Sequence, residues 1–144
     1  MGDDSPIKEI PFRFQFTVAE EAIDENGHVN NVVYIQWMQD AAIRHTDTVG
    51  GNDAMPENRS WVVRSHKIEY LAPAFEGETI ETETWVVDFR KVRSLRRYKF
   101  LRASDGLLLA RGETDWVFVN TENGRPCAIP EVVSACYPLT PNHK

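Results

Sequence analysis

Cysteine is scarce in this chain, which carries only Cys127 and Cys136 among its 144 residues. The two lie nine residues apart, and neither belongs to a C-x-x-C pair. The acidic segment MGDDSPIKEI at residues 1–10 lacks the apolar stretch that a secretory signal requires. We therefore expect no disulfide framework, no signal peptide and a reducing, cytoplasmic location.

Long hydrophobic runs are also missing, since no stretch approaches the roughly 18 consecutive apolar residues of a membrane span. The formal net charge is −6, and an acidic protein is a poor general binder of nucleic acid. A content of 42% hydrophobic and 26% charged residues is typical of a globular protein. Because the length suits one core, we predict a single domain over residues 1–144 with neither membrane nor nucleic acid as a partner.

The motifs of several catalytic classes are absent as well. The four histidines, at positions 28, 45, 66 and 143, form no H-x-x-x-H or H-x-H pair, so we predict no metal site. The sequence has no G-x-S-x-G, no phosphate loop and no dinucleotide fingerprint. Both cysteines are therefore expected to pack as small apolar side chains rather than to act as nucleophiles.

The sequence does contain one apolar helical pattern that follows a strand-like segment. Residues 10–18 alternate phenylalanine with polar residues, which predicts a strand. Asn30 or Asn31 can cap a helix, and Gly50 with Gly51 ends it. The helix has a narrow polar stripe at helical spacing, made of Gln36, Asp40, Arg44 and Asp47.

Four strand-like segments make up most of the remainder, at residues 61–71, 78–90, 92–103 and 107–119. A single helical turn is expected after Pro130. Alternate residues of the last strand share an apolar face: Leu108, Ala110, Gly112, Thr114, Trp116 and Phe118. An apolar helix must be covered, and here only a sheet can cover it. We therefore predict an α+β fold in which an antiparallel sheet curls round one long helix.

The turn Asp24-Glu25-Asn26-Gly27 places an acid, an amide and then the imidazole of His28 at alternate positions, directly before the helix. The residues alone leave two interpretations open. D-x-N-G is an ordinary turn, and two asparagines before an apolar run form an ordinary cap. Alternatively, the turn aims a reactive carboxylate at the helix N-terminus.

The segment DENGHVNNVVYIQW (24–37) resembles the signature of hotdog-fold thioesterases of the 4-hydroxybenzoyl-CoA thioesterase superfamily. Its spacing is also similar to D-x-N-x-H-V-N-N-x-x-Y-I-x-W in plant-type acyl-ACP thioesterases. IEYLAPAFEGETI (68–80) and GRPCAIP (124–130) resemble two further segments of that family. The resemblance implies a hotdog fold, protomers paired edge to edge as a homodimer or homotetramer, and an active site between protomers at the helix N-terminus.

The resemblance implies an acyl-CoA thioesterase in which Asp24 is the general base or the nucleophile. A carboxylate is ionised at neutral pH, so it can deprotonate water or attack the thioester carbonyl. The backbone N–H of Asn31 would bind the oxyanion, because the first turn of a helix leaves such donors free. Asn26 and His28 match the amide and imidazole of the plant-type motif and would orient water or bind the carbonyl. Coenzyme A would be part of the substrate, so no separate cofactor is expected.

A basic segment follows in the third of the four later strands. Residues 90–102, RKVRSLRRYKFLR, hold seven of the sixteen basic residues and no acidic residue. Because the family binds the nucleotide near this region, the resemblance implies that the coenzyme phosphates contact some of Lys91, Arg93, Arg96 and Arg97. The alternative is that these are exposed strand positions, which are often charged.

Other functions stay open. Acyl carrier protein is acidic, so an acyl-ACP thioesterase would suit the basic segment equally, and a non-hydrolytic acyl-CoA binding module would need no catalytic role for Asp24. A hotdog hydratase would need an N-P-x-H pattern, which is absent. Asp40 matches a helix glutamate of the plant-type proteins, but bacterial relatives carry that residue one position earlier, where this chain has Gln39. We favour a solvated Asp40–Arg44 pair.

Overall fold

The computed structural model describes residues 10–139, which form a curved sheet packed against one long helix. A 3₁₀ turn at Glu20–Ala22 connects the first strand to the helix entrance. In chain order the elements are β1 (Phe12–Thr17), α1 (Asn31–Val49), β2 (Arg59–Tyr70), β3 (Thr79–Val86), β4 (Arg93–Arg102), β5 (Leu108–Asn120) and the short α2 (Glu131–Ser134). This order confirms the predicted α+β class.

The sheet has the strand order β1-β3-β4-β5-β2, and every neighbouring pair is antiparallel. β1 and β2 are therefore the two edges. β2 pairs with β5 along its whole length, from Arg59 opposite Asn120 to Tyr70 opposite Ala110. The other side of β2 pairs with no strand among residues 10–139.

Helix α1 begins and ends at the predicted caps. The Oδ1 of Asn30 accepts the N–H of Val32 at 3.1 Å, and Gly50 takes the left-handed conformation, with φ of 81°, that ends a helix. The predicted polar stripe is exposed along its length. The buried residues recur at three- to four-residue spacing and face the sheet: Tyr34, Met38, Ala41, Ala42 and His45.

Helix α1 packs closely against the sheet at Gly112 of β5. A Cβ atom added there would lie 3.0 Å from the Sδ of Met38 and 2.9 Å from the carbonyl oxygen of Lys67. The missing side chain therefore lets the helix sit directly on β5. Other fully or almost fully buried side chains complete this core, among them Tyr34, Ile80, Tyr98, Phe100 and Leu109.

The predicted apolar face of β5 was wrong at its first position. Leu108 is partly exposed, whereas Leu109 is completely buried in the core. The reason is a register shift, in which Phe100 pairs with Ala110 but Leu101 pairs with Leu108. Leu109 is the extra residue of a β-bulge, and a bulge reverses the inward and outward alternation on its far side.

The polar stripe of α1 makes different contacts from those expected. Asp40 Oδ1 accepts a hydrogen bond from Gln36 Nε2 at 2.9 Å, instead of pairing with Arg44. The Arg44 guanidinium lies over the Phe14 ring, 4.4 Å from its centroid. Asp40 is exposed on the helix surface, so it is an ordinary solvated carboxylate in this chain.

Two features are absent from residues 10–139. No helix there is long and apolar enough to cross a membrane. The same residues contain no cluster of three or more His, Cys, Asp or Glu side chains suited to a metal ion. Cys127 and Cys136 are both free thiols.

Candidate active site at the entrance of the central helix

The turn before α1 is a small closed loop. Ile23 and Val29 form an isolated antiparallel bridge, and the N–H of Asp24 donates to the carbonyl of His28 at 2.9 Å. Inside it, the N–H of Gly27 donates to the carbonyl of Asp24 at 3.0 Å. Gly27 has a φ of 82°, which favours glycine at this position. The turn therefore sets Asp24 and His28 opposite each other.

The carboxylate of Asp24 is held through one of its two oxygens. Oδ1 accepts the backbone N–H of Asn26 at 2.8 Å and lies 3.9 Å from Nδ1 of His28. Oδ2 has no hydrogen-bond partner among residues 10–139. The Asp24 side chain is 21% exposed, so it is neither sealed in the core nor immersed in solvent. One oxygen thus fixes the orientation, and the other is available to water or to a substrate.

The surrounding backbone fixes the turn against the rest of the fold. The N–H of Val29 donates to the carbonyl of Ala74 at 2.8 Å, and the N–H of Asn30 donates to the carbonyl of Ala22 at 2.9 Å. These bonds attach both sides of the turn to neighbouring segments. The entrance of α1 is therefore a rigid platform rather than a free loop.

The first turn of α1 leaves a backbone donor at Asn31. The N–H of Val32 is taken by Oδ1 of Asn30, and the N–H of Val33 by the carbonyl of Asn30 at 2.9 Å. The N–H of Asn31 has no acceptor within the described part of the chain. It lies at the positive end of the helix dipole, where a developing oxyanion is stabilised.

Asn26 and His28 make fewer contacts than Asp24. The Asn26 side chain is exposed and bonds to none of residues 10–139, while its backbone N–H holds Asp24. Nδ1 of His28 lies 3.3 Å from the carbonyl oxygen of Val29, and its side chain is 37% exposed. The turn brings the His28 imidazole to 3.9 Å from the carboxylate, whereas Asn26 contacts it through its backbone N–H, and both side chains are accessible from outside.

Tyr70 also belongs to this region, and the sequence reasoning missed it. Its hydroxyl donates to the carbonyl oxygen of Asn31 at 3.0 Å. Tyr70 ends β2, so this bond connects the edge strand to the first residue of α1. The available signal was its place in the segment 68–80, which resembles a family junction.

The predicted phosphate-binding residues do not form one surface. Arg93 lies on the outer face of the sheet, where its guanidinium forms an ion pair with Asp115 that raises the pKa of Arg93. Asp115 also pairs with Arg90 at 3.2 Å and lies 3.7 Å from Arg64. Lys91, at the tight turn before β4, is exposed, and its ammonium group contacts no partner among residues 10–139. We call Arg64, Arg90, Lys91 and Arg93 the outer basic cluster.

The other two predicted residues lie elsewhere. Arg97 is also on the outer face, but its Nε is 3.4 Å from a carboxylate oxygen of Glu113. Arg96 is on the opposite face of β4, where it is buried against the helix and only 4% exposed. Alternation along a strand separates the two faces, so Arg96 cannot share an outer phosphate site with Arg93 and Arg97.

Comparison with known families decides the classification of this fold and turn. The sequence profile of the Thioesterase-like superfamily matches residues 18–136, which is most of the chain. The chain belongs to that superfamily. The match spans the Asp24 turn, the whole of α1 and the outer basic cluster. The predicted relationship to hotdog thioesterases is thereby confirmed.

Individual thioesterases agree with this membership. The chain is 25% identical over 130 residues to a chloroplastic acyl-[acyl-carrier-protein] hydrolase, FATB2, of Cuphea viscosissima. That match covers 85% of this chain but 32% of the plant protein, so the chain spans about a third of its relative's length.

Solved thioesterase structures share the architecture. A 1,4-dihydroxy-2-naphthoyl-CoA thioesterase from Synechocystis superposes with a TM-score of 0.78 at 17% identity, covering 86% of this chain and 93% of that chain. The 12:0-ACP thioesterase from Umbellularia californica superposes with a TM-score of 0.80 at 19% identity, covering 92% and 55% respectively. These similarities confirm the hotdog fold.

Proposed function

We propose that this member of the thioesterase-like superfamily hydrolyses acyl-CoA thioesters to a free acid and coenzyme A. One observation carries the proposal. The turn holds the Asp24 carboxylate by one oxygen directly before α1, and the first residue of α1, Asn31, presents an N–H without an acceptor among residues 10–139. A base beside an oxyanion donor is the minimal equipment for hydrolysing an activated ester.

The reaction follows from these two groups. Asp24 Oδ2 removes a proton from water as the water oxygen attacks the thioester carbonyl carbon. The carbonyl oxygen becomes an oxyanion that accepts the N–H of Asn31. When the oxyanion collapses, the C–S bond breaks and the leaving thiolate takes the proton held by Asp24, which gives coenzyme A and restores the carboxylate. In the alternative route the Asp24 carboxylate attacks the carbonyl carbon and the thiolate leaves, and water then hydrolyses the mixed anhydride to the free acid and Asp24.

Asn26 and His28 are proposed to support this chemistry rather than to carry it. Both residues belong to the same turn as the carboxylate and their side chains reach the solvent, so they can orient the attacking water or bind the thioester carbonyl. His28 also sits 3.9 Å from Asp24 Oδ1, close enough to influence where water binds.

The outer basic cluster supports coenzyme A as the carrier. Three of its four cations, Arg64, Arg90 and Arg93, pair with two carboxylates, Asp88 and Asp115, while Lys91 pairs with neither. The cluster thus keeps an excess of positive charge in a small area, which suits the phosphates of a nucleotide. Arg97 is already paired with Glu113, and we assign it only a secondary role.

Pairing of two chains through β2 is part of the proposal. β2 is a 12-residue edge strand, and a long open edge tends to pair with another chain. Val32 and Ile43 of α1 are exposed apolar residues about three helical turns apart, so they lie on one side of the helix. A twofold antiparallel pairing would set the Tyr70 end of one β2 beside the Arg59 end of the other. Light scattering would distinguish a homodimer from a homotetramer.

The test is a panel of acyl-CoA thioesters with detection of the released thiol. Asp24→Asn keeps an oxygen for the N–H of Asn26 but loses the base, so kcat should fall at least about 100-fold. Glu25→Gln, an exposed acid in the same turn, is the matched control and should retain full activity. If no thioester is turned over while the Asp24→Asn protein binds acyl-CoA with unchanged affinity, the chain is a binding module instead.

A second candidate is hydrolysis of acyl-ACP, which is favoured by the plant relatives whose names specify that carrier. Matched acyl-CoA and acyl-ACP substrates with the same acyl group distinguish the two. A strong preference for ACP in kcat/KM would refute coenzyme A as the natural carrier. The predicted cytoplasmic location and the absence of a separate cofactor remain parts of the proposal.

A further inference from the structure

A cavity of about 410 Å³ lies at the far end of α1 from the Asp24 turn. It opens to the surface and is lined by the C-terminal half of α1, the start of β2 and the segment that follows α2. Ile43, which lines it, is 12 residues beyond Asn31, which is about 18 Å along the helix. Within one chain the cavity is therefore separate from the candidate active site.

The cavity contains a buried cation that has no anion beside it within the described part of the chain. Arg96 lines the cavity and is only 4% exposed. Its Nη1 donates to Nδ1 of His45 at 2.9 Å and to Oγ1 of Thr84 at 3.1 Å. The remaining N–H groups, on Nε and Nη2, have no acceptor among residues 10–139. An arginine keeps its charge inside a protein, so this site holds unbalanced positive charge.

His45 orients Arg96 without neutralising it. Burial, together with the neighbouring Arg96 charge, lowers the pKa of His45 to about 3, so the ring is neutral at physiological pH. Its Nδ1 can then accept a hydrogen bond from Arg96. On the other side, the guanidinium carbon lies 5.9 Å from the centre of the Tyr137 ring. Neutral groups therefore hold the guanidinium in place on two sides and leave its charge uncompensated.

The rest of the cavity suits an apolar ligand with an acidic end. No aspartate or glutamate of the described residues lines it, although the protein as a whole is acidic. A second arginine, Arg59, lies partly buried in the wall. Trp61 and Trp116 supply broad apolar walls. An apolar pocket with a few convergent polar groups is the usual form of a small-molecule site.

We propose that this cavity binds an apolar carboxylate. The carboxylate accepts the free N–H groups of Arg96, and the hydrocarbon or aromatic body packs against Trp61 and Trp116. The guanidinium fork matches the two oxygens of a carboxylate, and binding supplies the counter-charge that residues 10–139 do not provide.

Two sources of such a ligand are chemically distinct. The first source, which rests on the proposed function, is the free acid that thioester hydrolysis releases. The other is a thioester substrate that carries a second carboxylate at the far end of its acyl group and reacts at the Asp24 turn of a partner chain, which the proposed β2 pairing would bring beside the Arg59 end of this cavity. The chemistry at Arg96 is the same in both cases, and the experiment separates them.

The test is calorimetric titration of the whole protein with octanoate and with its uncharged counterpart, octanamide. Octanoate should bind at least tenfold more tightly than octanamide. Arg96→Met should abolish that preference, whereas Arg125→Met, on an exposed loop, should leave it unchanged. Asn52→Trp changes an exposed residue of the cavity wall, in the loop after α1, and it should weaken octanoate binding severalfold.

The outcomes are separable. Equal affinity for octanoate and octanamide, or a preference that survives Arg96→Met in a folded protein, would overturn the proposal. If octanoate binding depends on Arg96 but no thioester is turned over, the carboxylate site is supported and the proposed function is contradicted. A lower KM for adipoyl-CoA than for hexanoyl-CoA, lost in Arg96→Met, would identify the substrate as the source. Inhibition of hydrolysis by octanoate, with equal KM values, would identify the product.

Discussion

The hydroxyl of Tyr70 donates a 3.0 Å hydrogen bond to the carbonyl oxygen of Asn31. The bond joins the end of the edge strand β2 to the residue whose N–H is the candidate oxyanion donor. Because the peptide groups on both sides of Asn31 move together, Tyr70 helps to fix the direction of that N–H. Tyr70 is therefore a positioning residue for the proposed reaction.

We expect Tyr70→Phe to lower kcat severalfold and to leave KM nearly unchanged. The substitution keeps the ring, which lies 5.6 Å from that of Tyr34, and removes only the hydroxyl. Losing one hydrogen bond should reduce the free energy of unfolding by about 1 kcal/mol. Steady-state kinetics and urea unfolding measure the two effects. Stability that falls without any change in kcat would show that the bond is only structural.

Asn31→Pro tests the oxyanion donor because it removes a single backbone N–H hydrogen. Asn31 is the first residue of α1, where proline is tolerated because its missing N–H would have no helical partner. Asn30 already has φ of −65° and ψ of 132°, a conformation that suits the residue before proline. The protein should fold normally, and kcat should fall about 100- to 1000-fold, as expected for loss of one oxyanion donor.

The control for this experiment is Asn31→Ala, which removes the side chain and keeps the N–H. It should retain activity close to that of the original protein. If the alanine variant loses as much activity as the proline variant, the Asn31 side chain is the functional group instead. If neither variant is impaired, the donor lies elsewhere. Circular dichroism confirms that α1 is intact in both.

The helix and its entrance could be predicted because they depend on neighbouring residues. Asn30 and Gly50 are caps whose chemistry is complete within a few positions, and the polar stripe of α1 follows a fixed period. The Asp24 turn likewise closes on itself through Asn26 and His28. Hydrogen bonds of this kind join residues a few positions apart, so they can be predicted from the sequence.

The features that the sequence did not reveal depend on distant contacts. Cations occur on both faces of β4, so alternation alone could not tell whether Arg96 or Arg97 faces the helix. Arg96 turns inward to a histidine 51 positions away, and Tyr70 reaches Asn31 across 39 positions. The bulge at Leu109 is set by pairing with β4, which no short pattern encodes.

Gly112→Ala should destabilise the protein without touching the candidate site. The new methyl group would meet the carbonyl oxygen of Lys67 at 2.9 Å and the sulfur of Met38 at 3.0 Å, so α1 or β5 must shift. Overpacking of this kind typically costs about 1–3 kcal/mol. Thermal or urea unfolding measures the loss.

A double-mutant cycle with Met38→Ala assigns the cause of that loss. If the steric contact with Met38 is responsible, the glycine substitution should cost less in the Met38→Ala background, because the sulfur has been removed. Purely additive effects would instead place the strain at the Lys67 carbonyl. An unchanged free energy of unfolding in Gly112→Ala would contradict the close packing of α1 on β5.

The buried His45 should make stability depend on pH. In the unfolded chain a histidine has a pKa of about 6.5. In the folded protein, burial and Arg96 lower the pKa of His45 to about 3. Between these values the unfolded state binds one more proton than the folded state. The contribution of His45 to the free energy of unfolding is therefore fully present above about pH 6.5. It declines by up to about 1.4 kcal/mol per pH unit as the pH falls below that value.

His45→Gln removes this titration and keeps an oxygen that can accept from Arg96. The free energy of unfolding is measured in urea at pH 7, 6 and 5. As the pH falls, it should decrease less steeply in the variant, by up to about 1.4 kcal/mol per pH unit. Burial also lowers the pKa of His66, but His66 is present in both proteins and cancels in the difference. Parallel pH profiles would mean that His45 takes up its proton without unfolding, and Arg96 would then have to move away from the imidazole to accommodate a second charge.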